Sequence, residues 1–366
     1  MKFRAERDTL VEAIQAAGRA TASRSSAYPV LAGLRLQLTN DHLEVLGSDL
    51  ELTIRSTALV HGDADGTAVV EARLLTDIVK SLPAGAVSVT ATGDELSIAA
   101  GRASFSVRTF MADEFPRLPT VSGNGVKVNG TALSEALRQV APAASTDETR
   151  PTLVGILLSS SERGLRLVAT DSYRLAVRDL PGVSLLEAGK QVLVAARGLR
   201  EAQRVIGDHD VEVVLGERDV ALRTEGIELT TRLLEDKFPN YQQLIPESYP
   251  NQCEIDRVAF AEAVKRIRLI TQPGRDSSPI KLQLSADGVE VSATAQDRGT
   301  AQEPLDAVYT GSDLTVAFNS TFLLEGLDAI PDERVILQTL DPLKPATLRG
   351  SGSADYLYLI MPVRIV

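Results

Sequence analysis

Apolar residues recur along this chain in two alternating rhythms, and the rhythms come round three times. Leu10, Val11, Ala13, Ile14, Ala16 and Ala17 stand at helical spacing, as do the apolar residues of 133–140 and 260–270. Between them lie runs of period two, clearest in Val87-Ser88-Val89-Thr90-Ala91 and Val211-Glu212-Val213-Val214-Leu215. Breakers such as Ala286-Asp287-Gly288 and Pro181-Gly182 punctuate the runs. The order helix, strands, helix, strands predicts α+β units in which two helices cover one face of antiparallel sheet.

Particular landmarks repeat with a period near 120 residues. Pro29-Val30-Leu31-Ala32-Gly33-Leu34 returns 122 residues later as Pro151-Thr152-Leu153-Val154-Gly155-Ile156. Leu43 to Asp49 matches Leu165 to Asp171, and a third copy runs from Ser278-Pro279-Ile280 through Val289 to Ala293. Val70 to Leu75 matches Val194 to Leu199 and, more loosely, Ala317 to Phe322, while Phe115-Pro116 and Phe238-Pro239 lie 123 residues apart. Copies this long are read as domains rather than solenoid repeats. Linkers rich in Gly, Ser, Asn and Pro near 120–127 and 246–253 set the expected domains at 1–121, 122–248 and 249–366.

A chain of 366 residues has room for three such domains. Hydrophobic residues make up 44% and aromatics only 4%, so the cores must be built from Leu, Val, Ile and Ala. The charged amino terminus carries no apolar leader, and no run approaches the ~18–20 residues of a membrane span. The single Cys253 excludes an intrachain disulfide and suits a reducing compartment. A cytoplasmic protein without membrane contact is expected.

The net charge of −11 argues against a conventional DNA-binding domain until its distribution is considered. The predicted helices with their entry loops span 7–24, 72–82, 131–150, 196–206, 258–271 and 320–330. They hold 13 Lys or Arg against 10 Asp or Glu, leaving 25 against 39 for the rest. The helices are the basic part of an acidic protein. In 196–206, Arg197, Arg200 and Arg204 fall at i, i+3 and i+7, opposite Leu199, Ala202, Val205 and Ile206. Taken alone, such a stripe reads first as a solvated face. Comparable helices on a common side of three repeats shift the reading toward a surface that meets phosphate. The segment 258–271 carries Lys265, Arg266 and Arg268 and also Leu269, which beside Ile270 is a candidate subunit contact.

No catalytic constellation is legible. His42, His61 and His209 are far apart in or beside predicted turns, and no phosphate loop, zinc-helix, nucleophile-elbow or paired-cysteine motif occurs. Asp171 has no catalytic partner at a readable spacing and is expected to cap a turn. The sequons Asn129-Gly130-Thr131 and Asn319-Ser320-Thr321 read as incidental. No metal, cofactor or catalytic residue is expected.

Four features are specific in combination. They are the triple repeat, Ala169-Thr170-Asp171-Ser172-Tyr173-Arg174-Leu175-Ala176-Val177, the Phe-Pro-Asn-Tyr-x-x-Leu-Ile-Pro of 238–246, and the ending Tyr358-Leu359-Ile360-Met361-Pro362-Val363-Arg364-Ile365. Together they resemble the beta subunit of bacterial DNA polymerase III, with details most like actinobacterial members. The resemblance implies the DNA clamp fold and a head-to-tail homodimer whose six domains close a ring around duplex DNA. It also implies a non-catalytic processivity role. The implied partners are double-stranded DNA without sequence preference, the polymerase III alpha subunit, a clamp loader, and other polymerases and repair proteins bearing a clamp-binding motif.

Carried over by position, the DNA-facing residues are Arg24, Arg73, Arg150 and Arg197, joined by Arg200 and Arg204 of the stripe. The partner-peptide pocket comprises Leu153, Thr170, Tyr173, Arg174, Leu175, Pro239, Leu244, Leu343, Leu359, Met361, Pro362, Val363 and Arg364. Leu153 and Leu175 read from their residues alone as ordinary core. The dimer seam would join Phe105 and Val107 to Leu269 and Ile270. Two departures bear on the pocket: Ser172-Tyr173 stands where the family often has Gly-His, and the chain ends in Ile365-Val366, one residue past the usual terminus. Alternatives are a duplicate clamp with a specialised role in repair or inhibitor tolerance, an enzyme or small-molecule binder on the same scaffold, and a scaffold that no longer encircles DNA.

Overall fold

The computed structural model describes residues 1–23, 27–118, 120–271, 279–352 and 354–364. Six α-helices lie among them: α1 (Arg7–Gly18), α2 (Ala72–Ser81), α3 (Gly130–Val140), α4 (Ala196–Ile206), α5 (Arg257–Ile267) and α6 (Ser320–Ala329). Each is close to an expected helix, and the parts of the expected spans outside the helices are mainly the loops counted with them. α1 ends at Gly18. Pro142 cannot donate to a helical ladder, and α3 gives way to a 3-10 turn at Ala141–Ala143. α5 likewise ends at Ile267 and continues as a single 3-10 turn, Arg268–Ile270.

Both sequon asparagines serve as helix caps. The Asn129 side chain accepts from the Ala132 amide at 2.9 Å, and that of Asn319 from the Thr321 and Phe322 amides at 2.9 and 3.3 Å. Such a cap satisfies amide donors that the first helical turn leaves unpaired.

The chain forms two compact units. The first holds Met1–Ser134 with Arg197–Leu233, the second Glu135–Ala196 with Leu234–Val366. The second repeat thus contributes strands to both. In the first unit, antiparallel pairing runs in the order Gly66–Glu71, Gly33–Thr39, His42–Ser48, Leu52–Leu59, Ile227–Leu234, Asp219–Thr224, Val211–Leu215 and Val126–Val128. Strand Leu52–Leu59 of repeat one therefore pairs directly with Ile227–Leu234 of repeat two, Ser56 opposite Ile227 and Leu52 opposite Thr231. Across this seam runs an unbroken line of ion pairs. Arg35–Glu44, Glu44–Arg55, Arg55–Glu228, Glu228–Arg223 and Arg223–Glu212 measure 2.9, 3.0, 2.7, 2.7 and 3.6 Å.

The second unit repeats the arrangement. Its pairing order is Gln191–Ala195, Gly155–Ser161, Gly164–Thr170, Arg174–Pro181, Tyr356–Ile360, Ala346–Gly350, Arg334–Thr339, Asn251–Asp256 and Ala307–Thr310. Here strand Arg174–Pro181 of repeat two pairs with Tyr356–Ile360 of repeat three, Arg174 opposite Ile360 and Leu175 opposite Leu359. Leu314–Asn319, Pro279–Ser285, Gly288–Ala295 and Gly299–Leu305 make a separate four-stranded sheet.

Helices cover sheet as the rhythms predict. Leu10, Ala13, Ile14 and Ala17 of α1 and Leu75, Ile78 and Val79 of α2 join Phe3, Leu34, Leu36, Val87 and Ile98 in one buried cluster. Each large side chain fully withdrawn from water is worth about 1.5–3 kcal/mol. α1 lies so near its strand that a side chain at Gly47 would meet the Ala17 carbonyl oxygen at 2.1 Å, so only glycine fits.

Candidate functional site

The arginine stripe of α4 is real. Leu199, Ala202 and Ile206 are buried and Val205 half-buried, while Arg197 and Arg204 are exposed and Arg200 half-buried. The helix sits tight on strand Ile227–Leu234, because a side chain at Gly198 would strike Thr231 at 2.2 Å. Acids accompany the cations. Arg197 Nη1 binds Asp49 Oδ2, and Arg204 Nη1 reaches Glu201 Oε1 at 2.6 Å. Glu201 also takes Arg19 Nη1 at 3.3 Å. On α2, Arg73 is exposed, with its Nε 3.9 Å from Asp77 one turn on. Arg24 lies outside the described residues.

Asp49 belongs to a turn that occurs twice. In repeat one, Ser48 Oγ accepts from the Leu50 amide at 3.1 Å and donates to the Leu52 carbonyl at 3.2 Å. Asp49 Oδ1 accepts from the Glu51 and Leu52 amides at 3.0 and 2.8 Å. In repeat two, Thr170 Oγ1 accepts from Ser172 at 3.2 Å and donates to the Arg174 carbonyl at 2.6 Å. Asp171 Oδ1 there accepts from Tyr173 and Arg174 at 2.9 and 3.0 Å, which is the capping role expected of it. In both turns the third residue has a left-handed backbone, φ +80° at Leu50 and at Ser172. A glycine meets that requirement without strain, so the backbone explains the family's preference at the position of Ser172.

The second turn builds a candidate binding surface. Arg174 is buried and multiply held. Its Nε contacts Asp171 at 3.1 Å, Nη2 donates to the Pro142 carbonyl at 2.6 Å, and Nη1 pairs with Glu325 of α6. Its guanidinium lies 4.4 Å from the centre of the Phe322 ring. Tyr173, 59% exposed, stacks on the same Phe322 with centroids 6.3 Å apart and planes at 26°. The Tyr173 carbonyl accepts from the Met361 amide at 2.8 Å, tying the turn to the tail. Beneath, Leu175 and Leu359 are buried with Leu157, Val177 and Tyr241, and Met361 packs half-buried against them. Burial pushes the Tyr358 phenol up to about 12, with Arg174 acting in the opposite sense.

Thr170, Tyr173, Arg174, Leu175, Leu359 and Met361 are thus joined by strand pairing, hydrogen bonds and packing. The remaining expected residues differ in placement. Leu153 is buried, Pro239, Leu244 and Leu343 are exposed, Pro362 and Val363 are half-buried, and Arg364 is exposed. The Val363 amide donates to the Ala317 carbonyl at 2.8 Å, which lays the tail on strand Leu314–Asn319. Ile365 and Val366 lie outside the described residues. The buried cluster of Leu157, Leu175, Val177, Tyr241 and Leu359 gives the surface around Met361 an apolar floor, a chemistry suited to Leu or Phe anchors.

Arg150 stands with this surface. Its Nε contacts Asp147 at 3.2 Å, and its Nη1 lies 3.4 Å from both the Asp171 carbonyl and Ser172 Oγ. Sequence reasoning missed Asp49, Glu201, Phe322 and Glu325. The match of Ser48-Asp49 to Thr170-Asp171 was the available signal for the first. The others come from helix faces whose neighbours no local pattern reveals.

At the expected seam, Phe105 and Val107 are half-buried on strand Ala103–Phe110. That strand pairs with Glu95–Ala100 through Ala103 to Arg108, and with Gly66–Glu71, among the described residues, only through Thr109 and Phe110. Leu269 is 74% exposed and Ile270 half-buried on the 3-10 turn after α5. Among the described residues, no group of three or more His, Cys, Asp or Glu could hold a metal ion, and no helix is long and apolar enough to cross a membrane.

Three family models match the chain in succession. These are the N-terminal, central and C-terminal domains of the DNA polymerase III beta subunit, over residues 1–119, 127–240 and 242–364. The beta sliding clamp of Streptomyces coelicolor is 34% identical, with 100% of both chains covered. That of Staphylococcus aureus is 30% identical, covering 100% of this chain and 99% of its own. The crystal structure of the Thermotoga maritima DNA polymerase III beta subunit superposes with a TM-score of 0.92 at 27% identity, covering 100% of each chain.

Proposed function

The chain belongs to the DNA polymerase III beta subunit family and is a DNA sliding clamp, a non-catalytic processivity factor; from that premise we propose which of its surfaces meet DNA, partners and a second copy. The observation that carries the premise is the succession of three clamp domains along the whole chain. The family implies DNA, polymerase and clamp-binding partners, and dimerisation. Full-length similarity to proteins named simply as beta sliding clamps gives the specialised-copy reading no support.

DNA contact is assigned to Arg73, Arg197, Arg200 and Arg204, with Arg24 in the same role by position. The stripe on α4 and the exposure of Arg73 support this. Arg150 is assigned to the rim of the partner surface as well, because it reaches the Asp171-Ser172 turn. The partner peptide is assigned to Leu153, Thr170, Tyr173, Arg174, Leu175, Pro239, Leu244, Leu343, Leu359, Met361, Pro362, Val363 and Arg364. Arg174 acts there by positioning Tyr173 and Phe322. The adaptable thioether of Met361 suits several occupants: the polymerase III alpha subunit, the clamp loader, and other polymerases and repair proteins with a clamp-binding motif. The seam of a head-to-tail homodimer joins the open edge at Phe105 and Val107 to Leu269 and Ile270 of a second copy. Six domains, bounded near 1–121, 122–248 and 249–366 in each chain, would then close a ring in the cytoplasm.

The deciding experiment is loading onto circular primed DNA, with the protein retained on the circle and released when the circle is linearised. Charge reversal at Arg73 and Arg197 is expected to lower retention, most at low salt where such contacts are strongest. Retention that ignores the reversal removes these arginines from the channel. Met361→Ala is expected to weaken binding of a polymerase peptide while leaving the dimer intact, and unchanged affinity would overturn the peptide assignment.

A further inference from the structure

The acids beside the α4 arginines are better fixed than the arginines themselves. Asp49 has one carboxylate oxygen committed to the Glu51 and Leu52 amides, so it cannot swing away, and its side chain is only 14% exposed against 50% for Arg197. The two are 148 residues apart in sequence. Glu201, 16% exposed, likewise divides its oxygens between Arg204 at 2.6 Å and Arg19 at 3.3 Å. This arrangement does not follow from the turn itself. In the matching turn of repeat two, Asp171 turns its second oxygen to the buried Arg174, whereas Leu52 stands at that position in repeat one.

We propose that Asp49 and Glu201 are an acidic brake: they hold α4 arginines in intramolecular ion pairs that duplex phosphate must displace. The inference rests on the reading that α4 faces DNA. Half-exposed ion pairs are weak, so a polyanion can win each arginine, but the contact is weaker and shorter-lived than with an unlatched guanidinium. A protein held to DNA by topology gains mobility from such contacts and loses little retention.

The test measures binding of the full-length protein to a short linear duplex across a salt series. Asp49→Asn keeps an oxygen for the two turn amides and removes the charge that holds Arg197. Binding at low salt is expected to tighten about two- to fivefold, with a steeper salt dependence from added counterion release. Glu201→Gln is expected to act in the same direction through Arg19 and Arg204, and it decides the matter if Asp49→Asn proves unstable on melting. Arg197→Ala should weaken binding and erase the effect of Asp49→Asn in the double variant. If Arg197→Ala changes nothing, the assignment of α4 to DNA fails. If Arg197→Ala weakens binding but neither acid variant strengthens it, the brake is overturned. A gain from Asp49→Asn that persists beside Arg197→Ala is a general charge effect and overturns it equally.

Discussion

In the turn at 48–52 the second carboxylate oxygen of Asp49 leaves its own segment and reaches Arg197 on α4, while in the turn at 170–174 the matching oxygen of Asp171 binds Arg174 within the turn. The amide bonds of the two turns correspond one for one, and so does the left-handed third residue. The divergence comes from the positions around that frame. Leu52 against Arg174 and Glu51 against Tyr173 turn one copy toward the exposed cationic helix α4 and the other toward the aromatic surface at Phe322 of α6. Duplication supplied a rigid turn twice, and the side chains facing the free carboxylate oxygen determined its use.

The largest test of this contrast removes each carboxylate. Asp171→Ala removes two amide caps and one of the two carboxylates that hold the buried Arg174, leaving Glu325, and should destabilise the second unit by about 2–4 kcal/mol. Asp49→Ala loses the same amide caps but strands only a half-exposed arginine, so about 1–2 kcal/mol is expected. Hydrogen-exchange protection of 174–181 and of 52–59 would report the two losses separately. Equal losses would break the comparison. A smaller effect separates the fourth residues. Tyr173→Ala removes a stacked ring worth about 0.5–1.5 kcal/mol and should weaken partner-peptide binding. Glu51→Ala should leave stability, read as the melting midpoint, unchanged. The smallest effect concerns the left-handed residue. Ser172→Gly and Leu50→Gly should each stabilise by about 0.5–1 kcal/mol, once the entropy cost of glycine is set against the relief at positive φ. A fall in melting midpoint for either would show that its side chain contributes contacts outweighing the strain.

These contrasts were unevenly legible in the amino-acid order. Helices announced themselves because their apolar stripes are local, and α4 has the face expected of Leu199, Ala202 and Ile206. The repeat was legible because landmarks such as Pro29 to Leu34 and Pro151 to Ile156 keep their spacing. Strand alternation reveals which residues face inward but not which strand lies alongside. The pairing of Leu52–Leu59 with Ile227–Leu234, and so the sharing of repeat two between units, could not be read. The same limit hid the partners of Arg174, since Glu325 and Phe322 come from a helix about 150 residues onward. Arg150 was read as a phosphate contact by position alone, and only the folded chain brings it to Ser172.

The two long-range pairings have a further consequence during synthesis. Ser56 waits for Ile227 and Arg174 for Ile360. At ~5–20 residues added per second, each strand leaves the ribosome roughly ten seconds to half a minute before its neighbour exists. Through that interval Leu52–Leu59 offers a row of unmatched backbone groups to any other nascent chain. Arg55, between Thr53 and Thr57, puts a charge in the middle of the waiting strand, and Arg178 does the same for the later one. Charge at an unfinished edge discourages pairing with strangers. Arg55 thus has two successive duties: it guards an open edge while the polysome is still translating, then takes Glu44 and Glu228 once the missing strand arrives.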